Sequence, residues 1–135
     1  RPHFFTAQAV APGMIEAGKG SIINFTSTSF LINHPEMPSY TAAKAGVHGV
    51  SKVFAIDFAK QGTRVNVIAP GFTLTEMMQD ATPEVLAHMG AKSALGRPAQ
   101  ASEQAEVAAF LAADRSSYIT GAVIPVDGGW TARVA

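Results

Sequence analysis

Cysteine is absent from this sequence, which excludes disulfides, thiolate metal sites and a cysteine nucleophile. Net charge is absent as well. Ten basic residues cancel ten acidic ones, so no global field recruits nucleic acid or an acidic membrane surface. Charge of either sign is sparse, at 15% against 47% apolar residues, and that balance favours a buried core over disorder. No apolar run approaches the roughly 20 residues of a membrane span, and no segment has the basic-then-apolar layout of a signal peptide. A cytoplasmic protein is the expectation. His3, His34, His48 and His88 are scattered without metal-ligand spacing, so no metal site is expected. Repeats and linkers are missing too, and residues 1–135 read as part of one domain.

What is present alternates between two periods. Phe4, Phe5, Ala7, Gln8, Val10 and Met14 recur at near-helical intervals and predict a helix over 1–16, stopped by Gly18-Lys19-Gly20. The run 21–26 is short, apolar and β-branched, as expected of a strand buried on both faces. A polar loop over 27–38 follows, with Pro35 and Pro38 opposing regular structure. A long helix is predicted from residue 38 or 39 to about Lys60, with Val47, Val50, Phe54 and Phe58 as its buried stripe.

Beyond Gly62, residues 64–69 predict a second buried strand, ended by Pro70-Gly71. Residues 72–98 hold two short helical pieces separated by Thr82-Pro83. A helix over 102–113, with Val107, Phe110 and Leu111 facing inward, leads to a third strand at 122–126 and the turn Asp127-Gly128-Gly129. Such alternation implies parallel strands joined by right-handed crossovers, an α/β layered fold. Three strands alone would leave an apolar edge unpaired, so the pattern reads as half of a sheet.

Tyr40 and Lys44 stand four residues apart on helical text, so both side chains leave one face. A cation beside a phenol favours the phenolate and suggests general acid/base chemistry on an alcohol or carbonyl. Ser27 closes the first strand, and Pro70, Gly71 and Thr75 follow the second. All lie at the carboxyl ends of strands or on helices that begin there, the edge where open α/β sheets bind ligands.

With these residues the sequence resembles the short-chain dehydrogenase/reductase family along essentially its whole length. The segments that carry the likeness are Asn24-Phe25-Thr26-Ser27, Tyr40-Thr41-Ala42-Ala43-Lys44, Arg64 through Gly71, Thr75, Gly96-Arg97, Ile119-Thr120-Gly121 and Val126 through Gly129. A Tyr-x-x-x-Lys alone is weak evidence; the combination is specific. The resemblance implies the carboxyl-terminal half of a Rossmann-like doubly wound parallel sheet. It also implies NAD or NADP as cofactor, with Tyr40 as acid/base and Lys44 holding the ribose hydroxyls and tuning the phenol. Ser27 would hydrogen-bond the substrate oxygen. Pro70, Gly71 and Thr73 would fix the nicotinamide carboxamide through backbone groups, and Thr75 would touch the carboxamide or pyrophosphate.

The family's glycine-rich phosphate turn, its Asn-Ala-Gly segment and its relay asparagine find no counterpart in these residues. The chain opens on Arg1 straight into helical text, as a protein entered part-way would. Thr73 stands where Val or Ile is usual, and Ala101 where a proline often starts the last helix. Asn33, His34 and Glu36, with Phe72, are the candidate substrate residues; the loop they mostly share tips the expectation toward a sugar or polyol. A 3-oxoacyl carrier-protein reductase is the alternative. From another class comes a non-catalytic assembly module, since family members form homotetramers or homodimers through their long helices. Simpler roles stand beside these: Tyr40 as a half-buried aromatic, Ser27 as a loop serine satisfying backbone groups, and Thr75 as a helix cap.

Overall fold

The computed structural model of the chain describes residues 2–32 and 35–133; Asn33 and His34 therefore lie outside the described residues. Helix α1 spans Pro2–Glu16, β1 Gly20–Phe25, α2 Ser29–Ile32, α3 Pro38–Ala59 and β2 Thr63–Pro70. A two-residue strand β3 (Thr73–Leu74) and a 3-10 turn (Glu76–Met78) follow, then α4 (Pro83–Gly90), β4 (Ala99–Gln100), α5 (Ala101–Ala112) and β5 (Val123–Val126).

The main sheet has the order β1-β2-β5 and is parallel throughout. Gly20 sits opposite Thr63 and Phe25 opposite Ile68, while Val67 pairs with Val123 and Pro70 with Val126. Parallel neighbours require crossovers, which α3 supplies between β1 and β2 and the segment containing α5 supplies between β2 and β5. Val65, Val67, Ile68 and Ala69 of the central strand are buried, as predicted for a strand covered on both faces.

Buried polar side chains bind the layers together. Asn24 reaches both helices beside β1: its Oδ1 meets His3 Nδ1 of α1 at 3.1 Å, and its Nδ2 donates to Ser51 Oγ of α3 at 2.9 Å. Asn66 of β2 donates to Ile119 O at 2.7 Å and accepts from Ala122 N at 3.0 Å, which fixes the approach to β5. Arg64 Nη2 donates to Leu111 O at 2.9 Å, capping the carboxyl end of α5.

Four expectations need correction. β1 is covered only in part: Ile22 and Ile23 are half-buried and Phe25 is 39% exposed, because no further strand flanks it among the described residues. The loop 27–38 contains α2, a single turn too short to show a period. The buried residues of α3 are Ser51 and Ala55, while Val47, Val50, Phe54 and Phe58 are only half-buried. On α5, Phe110 is exposed and Gln104 takes the inward place. The pairing of β3 with β4 was not foreseen; two-residue strands leave no pattern in a sequence.

Candidate active site

Ser27 is placed by its neighbours. Thr26 N donates to Ile68 O at 2.9 Å and Thr28 N to Pro70 O at 3.0 Å, so the chain keeps to β2 past the end of β1. Thr26 and Thr28 are buried, and the intervening Ser27 is half-buried, as strand alternation requires. Ser27 Oγ accepts from Ser29 N at 3.2 Å, the local bond expected of a loop serine. Its own proton is left to donate elsewhere.

Helix α3 begins on Pro38, whose fixed φ and missing donor suit a first helical position. Its first turns are pinned to β1, because the buried Thr26 hydroxyl donates to Lys44 O at 2.7 Å. Tyr40 and Lys44 do share a face: the Lys44 ammonium lies 5.6 Å from the Tyr40 ring centroid. Lys44 Nζ makes one long bond, to Phe25 O at 3.4 Å, and no ion pair among the described residues. Two of its three donors are therefore uncommitted. Tyr40 is 40% exposed.

The third component follows β2. Gly71 N donates to Val126 O at 3.1 Å, and a Cβ at Gly71 would lie 2.7 Å from the Cα of Asp127. Glycine is demanded here by close packing on the carboxyl-terminal turn. Asp127 is itself well anchored, its carboxylate accepting from Gly129 N, Thr131 N and Thr131 Oγ1 at 2.7–2.9 Å. Burial pushes its carboxyl up, but the bonds from Thr131 and Gly129 outweigh that and hold it below the usual range. Thr73 Oγ1 donates to Gly71 O at 3.2 Å. Thr75 stands at the N-cap of the 3-10 turn, yet its side chain makes no capping bond, so the hydroxyl is not spent on the cap. Ala101 begins α5 in good order without proline, since Glu103 reaches back to accept from Gln100 N at 2.8 Å.

An open cleft of about 450 Å³ brings these groups together. Ser27, Tyr40, Pro70, Gly71, Phe72, Thr73 and Thr75 line it, together with Phe25, Thr26, Ala101 and Gln104. Lys44 stands behind Tyr40 and does not line it. Glu36 is exposed, holds a left-handed φ of 64°, and is likewise not on its wall. Gln104 escaped the reading of the sequence. Its signal was a glutamine at 104 in a helical stripe with Val107 and Leu111, where an apolar residue would be expected.

Residues 2–131 match the family model described as enoyl-(acyl carrier protein) reductase. The chain belongs to the short-chain dehydrogenase/reductase family. It is 40% identical to a 3-oxoacyl-[acyl-carrier-protein] reductase of Thermotoga maritima, covering 93% of this chain and 51% of that protein. It is 38% identical to a galactitol 2-dehydrogenase (L-tagatose-forming) of Cereibacter sphaeroides, over 95% of this chain and 52% of that one. Among solved structures, a gluconate 5-dehydrogenase from Burkholderia cenocepacia in complex with NADP and tartrate superposes with a TM-score of 0.90 at 34% identity. That match covers 98% of this chain and 52% of the other. The chain spans about half the length of the short-chain dehydrogenase/reductase relatives it matches, and the parallel sheet with alternating helices is the fold it shares with them.

Proposed function

We propose that this chain is the carboxyl-terminal half of an NAD(P)-dependent oxidoreductase that interconverts a secondary alcohol or hemiacetal with a ketone or lactone. The observation that carries the reading is one cleft at the carboxyl ends of β1 and β2 shared by Ser27, Tyr40 and the Pro70–Thr75 segment. The donor set suits the nicotinamide end of a dinucleotide. Lys44, next to the cleft-lining Tyr40, has donors to spare for ribose hydroxyls, Thr75 has an uncapped hydroxyl, and Pro70 and Gly71 are among the lining residues. When bound, such a cofactor supplies hydride transfer.

The remaining work falls to side chains of this chain. Ser27, its acceptor engaged by Ser29, donates to the substrate oxygen and stabilises charge growing there. Tyr40 takes the alcohol proton, or returns it in the reverse direction. Lys44 places a positive charge beside the Tyr40 ring, its ammonium 5.6 Å from the centroid. Phe72 gives the cleft an apolar wall for the substrate. Asn33, His34 and Glu36 remain candidates for substrate contact.

A sugar or polyol is the favoured substrate, supported by the likeness to galactitol and gluconate dehydrogenases. The carrier-protein reductase reading keeps support from the Thermotoga relative. It would call for an exposed basic patch near the cleft, however. No lysine or arginine lines the cleft among the described residues, and nearby Arg97 is engaged with both oxygens of Glu103 at 2.7 and 2.8 Å. Assembly as a homotetramer or homodimer is proposed through the exposed apolar face of α1 and α3, where Phe5, Val53 and Ile56 stand open. A cytoplasmic location accords with this; no helix among the described residues is long and apolar enough to cross a membrane.

The test is Tyr40→Phe in the full-length protein. Turnover is expected to vanish while the dissociation constant of the dinucleotide stays within a few-fold. Near-normal turnover overturns the assignment. A nicotinamide-absorbance screen of polyols, aldoses and 3-oxoacyl thioesters then decides the substrate class.

A further inference from the structure

We propose that Gln104 is a positioning residue for the Pro70–Thr75 segment, acting through the Thr73 hydroxyl, and that it sets how tightly the nicotinamide end of the cofactor is held. The proposal rests on the reading above, in which that segment cradles the nicotinamide.

Gln104 is 6% exposed, on the inward face of α5 and on the wall of the cleft. Its Nε2 donates to Val126 O at 2.9 Å and to Thr73 Oγ1 at 3.4 Å. The Thr73 hydroxyl passes its own proton to Gly71 O at 3.2 Å. One amide thus joins α5, the end of β5 and the segment after β2. A carbonyl can only accept, so Val126 determines which end of the amide carries the NH₂ group.

The other end of the amide is revealing. Gln104 Oε1 is buried and has no hydrogen-bond partner among the described residues. A buried acceptor without a protein partner is unfavourable, and an apolar residue in the same stripe would avoid it. The side chain is therefore spent on its donor half, toward Val126 and Thr73. Thr73 fits the same logic. Its hydroxyl gives Gln104 Nε2 an acceptor that an apolar side chain at 73 would not supply. The two polar residues form a matched pair across 31 positions of sequence.

Geometry gives the pair leverage over the backbone. Gly71 cannot retreat, because Asp127 lies directly behind it. The Thr73 hydroxyl holds Gly71 O from the side, and Gln104 holds that hydroxyl. Residues 71–73 are thereby fixed from two directions, and it is their main-chain groups that the cofactor would meet. Neither Gln104 nor the Thr73 hydroxyl is asked to perform chemistry.

The experiment is a double-mutant cycle in the full-length protein with Gln104→Leu, Thr73→Val and the pair together. Dinucleotide affinity is read from nicotinamide fluorescence, alongside kcat, the substrate KM and the urea midpoint. Each single change is expected to weaken cofactor binding about tenfold. The double variant should lose no more than either single one, because the partners depend on each other. Wild-type affinity in Gln104→Leu overturns the proposal. So does a multiplicative loss of about a hundredfold in the double variant, or a lowered urea midpoint with affinity unchanged. Should Gln104→Leu fail to fold, Thr73→Val carries the test, and wild-type affinity there is equally fatal. A wild-type protein that binds neither NAD nor NADP removes the functional reading and this proposal together. Binding by the wild type with no effect of either substitution removes this proposal alone.

Discussion

Ser27 uses its two hydrogen-bonding capacities in different directions. One of its lone pairs is taken by Ser29 N, and the side of the residue that lines the cleft leaves its proton free to donate there. If that proton stabilises the substrate oxygen, Ser27→Ala should lower kcat by about 10²–10³, the usual consequence of deleting one such donor. Dinucleotide affinity should be unchanged. Initial rates and fluorescence titration check both halves, and an unaltered kcat would remove Ser27 from the chemistry. At this scale the sequence was legible wherever spacing is local. Tyr40 and Lys44 meet because four residues make about one helical turn. Gln104 was not legible, because its partners at 73 and 126 are brought near only by the completed sheet. Asn33 and His34 were singled out by their place in the polar loop between Ser27 and Tyr40, and they lie outside the described residues.

Elements were readable to the extent that they repeat a period. The long helices and β2 do so, and their bounds fall within a residue or two of expectation. The single turn of α2 and the β3–β4 bridge do not. The start of α5 offers an element-scale prediction. Glu103 accepts from Arg97 and from Gln100 N, and these bonds lower its carboxyl from about 4.5 to about 2. A carboxyl depressed on folding contributes stability above its unfolded value and loses it as pH falls through the folded one. The stability gap between wild type and Glu103→Gln should therefore be constant above about pH 4.5 and close as pH approaches 2. Thermal unfolding across that range measures it; a gap that persists at pH 2 would argue against the bonded carboxylate as its source. The pair is exposed, so the gap should be small and shrink with salt. A larger effect is expected at Gly62, which joins α3 to β2 with φ of 81° and whose Cβ would run into Gly18 O. Gly62→Ala should destabilise by more than about 1 kcal/mol in urea unfolding, through strain and clash together.

At the scale of the whole molecule, the sheet is open on both sides. Its middle strand is paired on either hand, while β1 and β5 each have one hydrogen-bonding edge with no strand beside it among the described residues. The alternation of elements anticipated an unpaired edge, but which strands would stand outermost depended on strand order, which periodicity does not contain. If the chain is half of a longer domain, an open reading frame upstream should encode a glycine-rich turn after a strand; an in-frame start at residue 1 would refute that. The 135 residues expressed alone should associate with rising concentration in sedimentation, driven by the unpaired strand edges and the apolar face of α1 and α3. A clean monomer at high concentration would show that both surfaces are better protected than their exposure suggests.

The contact between Gly71 and Asp127 reaches further than packing. The turn from Asp127 to Thr131 is closed by its own carboxylate bonds and lies far from Gly71 in the sequence. Yet it forms the back wall of the segment that lines the cleft. A substitution that loosens this turn is therefore expected to reshape the cleft from behind, and kinetic comparisons between variants at 127–131 should be read as comparisons between clefts of different shape.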